Sequence, residues 1–274
     1  MSIKSILATY TGSASGASGL GLAVHMAKKY DAHLTGVVWH GPSMMESHYS
    51  QYMTADIEEI LRARDSEVVA GIRADFDKRV AEAGLEGRAE FLDLSSGSDL
   101  SLAECARAYD VVVMGLAELD MGQRNFAARP DVVALRSGRP VILVPSEYAV
   151  ESLVENALIA WDGKRAAARA LGDAMHILET KEKVTVLTVG EAPPARPGAD
   201  ITDLLHRHGI EAERIVRAPG RKGTGHTILD AAREVGAGLL IMGAYEHSKF
   251  SEDLMGGVTR DILENAHLPV LMSH

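Results

Sequence analysis

The sequence predicts an α/β chain built as two tandem open sheets, each of five mainly parallel strands. Three observations carry that expectation. Short runs rich in Val, Ile and Leu alternate with segments of helical length whose apolar residues recur every three or four positions, as in buried parallel strands joined by helices. The order of these segments in the first half returns in the second. The 274 residues correspond to about 1.8 units at roughly 150 residues per domain.

The first-half strands are read at residues 3–10, 33–39, 88–94, 111–115 and 140–144. Those of the second half are read at 157–161, 184–189, 213–216, 239–243 and 269–272. Offsets test the repeat. Gly12 matches Gly163 at 151 residues, Met114-Gly115 matches Met242-Gly243 at 128, and residues 140–144 match 269–272 at 129. Both ends of the unit therefore align, and the first copy carries about 23 extra residues in its middle. This excess is placed in the long helical pattern 54–85, which faces only the short pattern 200–209 in the second copy. Val68, Ile72, Phe76 and Val80, at steps of four, give the long helix an apolar stripe. The stripe is read as a cover for the sheet or as a surface for docking the two halves or another subunit. The units are placed at residues 1–148 and 154–274, with the boundary within 145–154.

Composition excludes several classes. A chain with 46% hydrophobic and 24% charged residues is an ordinary globular one, not a disordered, collagenous or rod-like chain. No apolar run approaches eighteen residues, so no membrane partner is expected. The first strand breaks into Gly and Ser at Gly12, unlike a secretory signal. A single cysteine, Cys105, forms no internal disulfide and fits a cytoplasmic location. With 28 Lys+Arg against 38 Asp+Glu, a net charge of −10 and no basic patch, no nucleic-acid partner is expected.

Other groups carry little chemistry. His206 and His208 are two apart and point in different directions on a helix, so they form no metal pair. His226 lies near Arg221 and Lys222 in a Gly-rich loop, read as solvated, with anion contact as the sharper reading. The Gly12–Gly21 segment lacks a Gly-Lys-Ser/Thr ending and has Val24 where a dinucleotide fingerprint needs Gly or Ala, so it reads as a strand-to-helix turn. Met44, Met45, His48, Tyr49, Tyr52 and Met53 read as a lid over the sheet or as a soft pocket lining.

The most informative stretch runs from Gly243 to Arg260, between an apolar strand and the helical pattern 261–266. Gly243 is expected to let the chain turn at the strand end. Gly256-Gly257 entering a helix leaves N–H groups and a positive dipole end open to an anion, with Thr259 adding a hydroxyl. The bland reading is a long loop whose glycines serve only its turns.

This stretch resembles the nucleotide-binding signature of universal stress proteins: Gly, two residues, Gly, nine residues, Gly, then Ser or Thr. Gly243 and Gly256 take the first and third glycine positions, and Val258-Thr259 matches the usual continuation. His267-Leu268-Pro269-Val270-Leu271 resembles the family's terminal strand, and the run from Ala157 to Trp161-Asp162-Gly163 its first strand. The resemblance covers both halves and implies a tandem member with a Rossmann-like, adenine nucleotide α-hydrolase-like fold. It further implies ATP, with or without Mg, as the ligand. Asp162 would then bond the ribose or orient a metal, and Ala160 and Val189 would flank the adenosine. Gly243, Gly256, Gly257, Val258 and Thr259 would hold the phosphates. The halves would pack as an intramolecular pseudo-dimer, and a homodimer of chains is a further expectation.

Two departures stand against that reading. Glu246 replaces the second glycine, and Gly257 replaces the Ser or Thr. The glutamate adds repulsion near phosphates, and Lys249 and Arg260 are read as offsetting that charge or as simply solvated. The first half is poorer: Tyr10-Thr11 replaces Trp-Asp, and no glycine pair precedes the helix start Arg129-Pro130-Asp131. Three functions follow in order: a cytoplasmic stress-response protein that binds adenine nucleotide in its C-terminal half, a nucleotide-free interaction scaffold, and a slow ATP hydrolase. The last is weakest, because no general base is apparent beyond Asp162 or Glu246.

Overall fold

The computed structural model describes residues 2–39, 54–94, 101–116, 130–192, 200–244 and 257–274. Five strands come from the first half: β1 (Ser5–Thr9), β2 (His33–Trp39), β3 (Ala89–Leu94), β4 (Val111–Gly115) and β5 (Val141–Val144). Five come from the second: β6 (Asn156–Ala160), β7 (Lys183–Val189), β8 (Ala212–Arg217), β9 (Leu239–Gly243) and β10 (Val270–Ser273). They form one open sheet in the order β3-β2-β1-β4-β5-β10-β9-β6-β7-β8. All neighbours run parallel except β5 and β10, which pair antiparallel with Val270 opposite Leu143 and Met272 opposite Val141. Each half thus has the strand order 3-2-1-4-5, and their last strands close on each other head to tail. That pairing removes two exposed sheet edges. It also leaves β5 and β10 buried along their whole length.

Helices cover both faces. On one side lie α1 (Ala14–Tyr30), α2 (Ala55–Glu82), α5 (Arg165–Leu178) and α6 (Ile201–Arg207). On the other lie α3 (Leu102–Ala106), α4 (Pro130–Arg136), α7 (Thr224–Glu234) and α8 (Gly257–Asn265). Cys105 is buried in α3, where desolvation and the nearby Glu90 charge raise its thiol pKa, so it packs as an inert small side chain.

The backbone repeats in detail. The Tyr10 N–H bonds the Val37 carbonyl at 2.9 Å, and the Trp161 N–H bonds Leu187 at 2.8 Å. Both α2 and α6 end in a left-handed glycine, Gly84 at φ 68° and Gly209 at φ 75°. The following N–H, of Leu85 or Ile210, reaches back to Val80 or Leu205 at 3.0 Å. Register then divides the extra residues differently from the sequence offsets. Between Leu34 and its β3 partner Ala89 lie 55 positions, against 28 between Val184 and Ala212. From Ala89 to Val111 there are 22, against 27 from Ala212 to Leu239. The first half is longer before its third strand, and the second half is longer after it. The excess of about 23 is a net figure.

The long helix covers the sheet, as one of the two readings held. Its buried stripe is Val69, Ile72, Phe76 and Val80, whereas Val68 is 38% exposed. Steps of four overshoot a 3.6-residue turn, so one step of three is needed to stay on a face. The Phe76 ring rests against Gly36, where a Cβ would come within 2.7 Å of it. Beside it Tyr10 is fully buried and donates its hydroxyl to Asp75, which also accepts from Arg79 Nε at 2.9 Å. Burial first, then the Asp75 hydrogen bond and charge, push the Tyr10 pKa up to about 12.

The halves are docked by α1 rather than α2. Lys29 Nζ lies 2.7 Å from Glu155 Oε2, and Lys181 Nζ lies 3.2 Å from the same oxygen. The Tyr30 and Thr180 hydroxyls meet at 3.0 Å. Burial opposes ionisation of Glu155, but the hydrogen bonds and charges of the two lysines outweigh it and hold the carboxyl below its usual range. Because the folded value is depressed, this contribution is present above the ordinary Glu pKa, about 4.3, and is lost as pH falls through the folded value. Glu155→Gln should therefore be less stable than the native chain at pH 7, by about 1–3 kcal/mol, and the gap should close in acid. Denaturant melts across this pH range check it; a constant gap would show that the triad contributes nothing through its charge.

Candidate functional site

A cleft of about 250 Å³ opens at the carboxyl ends of β6, β7 and β9. Ends of this kind, beside a topological switch point, are where open α/β sheets bind ligands. The volume lies slightly below the roughly 300–1,000 Å³ usual for small-molecule pockets. Its floor is apolar: Ala160 of β6, Leu187 and Val189 of β7, and Met242 of β9. Leu187 and Val189 share a sheet face because strand side chains alternate, and register sets Ala160 beside Leu187. Ile228 of α7 closes the floor.

The rim is polar and built from three helix starts. Lys164, Ala166 and Ala167 come from α5, Thr224 from α7, and Gly257, Val258 and Thr259 from α8. None of these helices has an acidic residue in its first turn. The N-cap positions of α5 and α7, Lys164 and Gly223, make no side-chain capping bond. Helix starts leave N–H groups unpaired and carry the positive end of the dipole. The rim therefore favours an anion, even in a chain of net charge −10. Thr259 is buried at 5% exposure.

Asp162 stands at the mouth. Its Oδ1 accepts from the Lys164 N–H at 2.9 Å and its Oδ2 lies 4.0 Å from Lys164 Nζ. The carboxylate thus serves the turn, and with its side chain 54% exposed it keeps acceptor capacity toward the cleft. Gly163, at φ 75°, makes the turn itself and matches Gly12 at φ 73°.

Gly243 has a different role from the expected turn. Its φ is not in the left-handed region, and its value is close approach. A Cβ there would overlap the Ala166 carbonyl carbon and come within 2.5 Å of the Ala167 nitrogen. The absence of a side chain seats α5 directly on the end of β9.

Seven of the eight residues singled out in the sequence line this cleft: Ala160, Asp162, Val189, Gly243, Gly257, Val258 and Thr259. Gly256 lies outside the described residues, as do Glu246, Lys249 and the cluster Met44, Met45, His48, Tyr49, Tyr52 and Met53. Arg260 Nε pairs with Glu264 at 2.8 Å on the exposed side of α8. Sequence reasoning did not assign Trp161, Lys164, Ala166, Ala167, Leu187, Thr224, Ile228 or Met242 to the site. Strand alternation points to Leu187 from Val189, and a helical step of four joins Thr224 to Ile228; the other contacts are set by packing. Among the described lining residues Asp162 is the single carboxylate, and no cluster of three His, Cys, Asp or Glu among the described residues is placed to hold a metal.

The first half has the same backbone with other side chains. Thr9 pairs with Val37 as Ala160 pairs with Leu187. Two residues on, Trp39 stands in register with Val189. Its indole packs on the cluster that contains Leu7, Val37 and Met114, and it is a larger side chain than the valine that lines the second-half cleft.

Gly243→Ala should force α5 away from β9, lowering stability by about 1–3 kcal/mol. A fall in the urea midpoint with an unchanged slope checks this; an unmoved midpoint would mean that the close approach is not required.

Residues 202–274 match the universal stress protein family model. A universal stress protein from Archaeoglobus fulgidus DSM 4304 superposes with a TM-score of 0.72 at 16% identity, over 98% of this chain and 95% of that one. A putative universal stress protein from Pseudomonas aeruginosa UCBPP-PA14 gives 0.59 at 14% identity, over 99% and 93%. A universal stress protein solved in complex with cAMP is 20% identical, over 45% of this chain and 98% of that one, with a TM-score of 0.34. Among curated proteins none matches.

Proposed function

From a chain that carries a universal stress protein domain match at its C-terminal end and shares its whole fold with universal stress proteins of similar length, we propose a cytoplasmic stress-response protein that binds adenine nucleotide, ATP, in its second half. The observation that carries this reading is the convergence of seven expected residues on one cleft with an apolar floor and a rim of three helix starts. The floor suits an adenosine flanked by Ala160 and Val189. The rim N–H groups, with Gly257, Val258 and Thr259, suit phosphates. Asp162 suits a ribose hydroxyl, or a Mg ion carried in with the phosphates. No helix among the described residues is long and apolar enough to cross a membrane, and the single, buried cysteine fits a reducing compartment.

The chain is read as a duplication, with units at 1–148 and 154–274 that form a pseudo-dimer through β5 and β10. Its output is conformation or association, because the described lining residues pair no nucleophile with a base. A homodimer of chains remains part of this reading. A scaffold without nucleotide is the second reading, and Trp39 in the first half favours it for that half.

Val189→Trp tests the function. It copies into the second half the residue that the first half already holds in the same register, so the fold should tolerate it. ATP binding followed by calorimetry should fall at least about tenfold, or about 1.4 kcal/mol, with the melting temperature of the free protein nearly unchanged. Full binding in this variant would remove the cleft as the nucleotide site.

A further inference from the structure

We propose that the turn Gly220-Arg221-Lys222-Gly223 is a phosphate clamp that selects nucleoside di- and triphosphates over monophosphates. This rests on reading the cleft as a nucleotide site. The turn follows β8 and leads directly into α7, whose first residue, Thr224, is part of the cleft wall. It is a built structure. The Gly223 N–H bonds the Gly220 carbonyl at 3.0 Å. The Thr227 hydroxyl accepts from the Gly220 N–H and donates to the Gly223 carbonyl, both at 2.9 Å. Gly223 takes φ 94°, which an L side chain rarely adopts. Two consecutive cations are thereby held at the tip of a stapled turn.

Three further observations bear on that turn. Gly225 lies so close to α8 that a Cβ would come within 2.6 Å of Asp261 Cβ and 3.3 Å of the Val258 carbonyl oxygen. The starts of α7 and α8 are thus locked side by side, both contributing to one cleft. Arg221 and Lys222 have no hydrogen-bond or ion-pair partner among the described residues, so their charge is not spent internally. The connection that holds them, residues 218–223, is about as long as residues 95–101 of the first half; the five positions by which Ala212 to Leu239 exceeds Ala89 to Val111 lie in α7, of eleven residues against five in α3. The first half has Ser95-Ser96-Gly97-Ser98-Asp99 at this point, with no cation. The cation pair and the cleft therefore lie in the same half.

Adenosine and one phosphate would be met by the floor and the helix starts. Further phosphates extend outward, and the flexible Arg and Lys side chains meet them with charge-assisted hydrogen bonds. The test is a calorimetric titration of the full chain with ATP, ADP, AMP and adenosine, repeated with the double variant Arg221→Ala/Lys222→Ala, at low and raised salt. Gly220, Gly223 and Thr227 are kept, so the turn itself is retained. ATP affinity should fall about 10- to 100-fold while AMP changes less than about twofold, and the salt dependence of ATP binding should flatten. Equal losses for ATP and AMP, or no loss for either, would overturn the clamp. Native-chain binding of ATP and AMP with one affinity would overturn it while leaving the cleft reading intact. Failure of the native chain to bind any of the four would overturn the cleft reading, and the clamp with it.

Discussion

A glycine at the end of the fourth strand of each half sets how closely a helix can approach the sheet, and the site depends on that distance. Gly243 meets the backbone of Ala166 and Ala167. Gly115 meets the backbone and side chain of Ser15 in the equivalent place. Both contacts seat the first turn of a helix over the strand ends, so its unpaired N–H groups lie beside the point where neighbouring strands diverge. A side chain at either glycine would move the helix outward and with it the turn that carries Asp162 or Thr11. In the first half the approach is also hydrogen-bonded, because Ser15 Oγ donates to the Leu116 carbonyl at 2.5 Å.

The same backbone carries different side chains in the two halves. Val189 lines the cleft of the second half, whereas the larger Trp39 stands in the same register of the first. Tyr10, matching Trp161, is fully buried under α2 and held by Asp75, while Trp161 stays at the cleft wall. The long helix that stabilises the first half does so by covering the sheet face at β2 and β3, with Phe76 set into the gap that Gly36 leaves. Among the described residues the second half has α6, of seven residues, in that place, and its additional length after the third strand lies in α7, of eleven residues against five in α3.

Much of this was legible in the sequence because burial writes a strong pattern. All ten strands lie where strand runs are read, with ends shifted by at most two residues; the eight interior strands are buried and apolar along most of their length, whereas the edge strands β3 and β8 mix apolar with charged residues. Seven of the cleft-lining residues were legible through the family resemblance, whose motifs Gly257-Val258-Thr259 and Trp161-Asp162-Gly163 lie at strand and helix ends. What was not legible arises between elements. The antiparallel closure of β5 on β10 pairs residues about 130 positions apart, and nothing local announces it. Val69 rather than Val68 faces the sheet because a real helix advances by 3.6 residues, not four. Gly243 looked like a turn residue because sequence shows that a glycine is present but not whether φ or packing requires it. Offsets between matching motifs gave only a net length, so an insertion before β3 hid a shorter connection after it.

Under the proposed nucleotide reading, each chain takes one ligand, in the cleft of the second half. Native mass spectrometry of the intact chain with ATP measures that directly, as the number of nucleotides retained per chain. One nucleotide per chain is the predicted result. Two would contradict a single site in the second half, and none at saturating ATP would contradict the cleft as a nucleotide site.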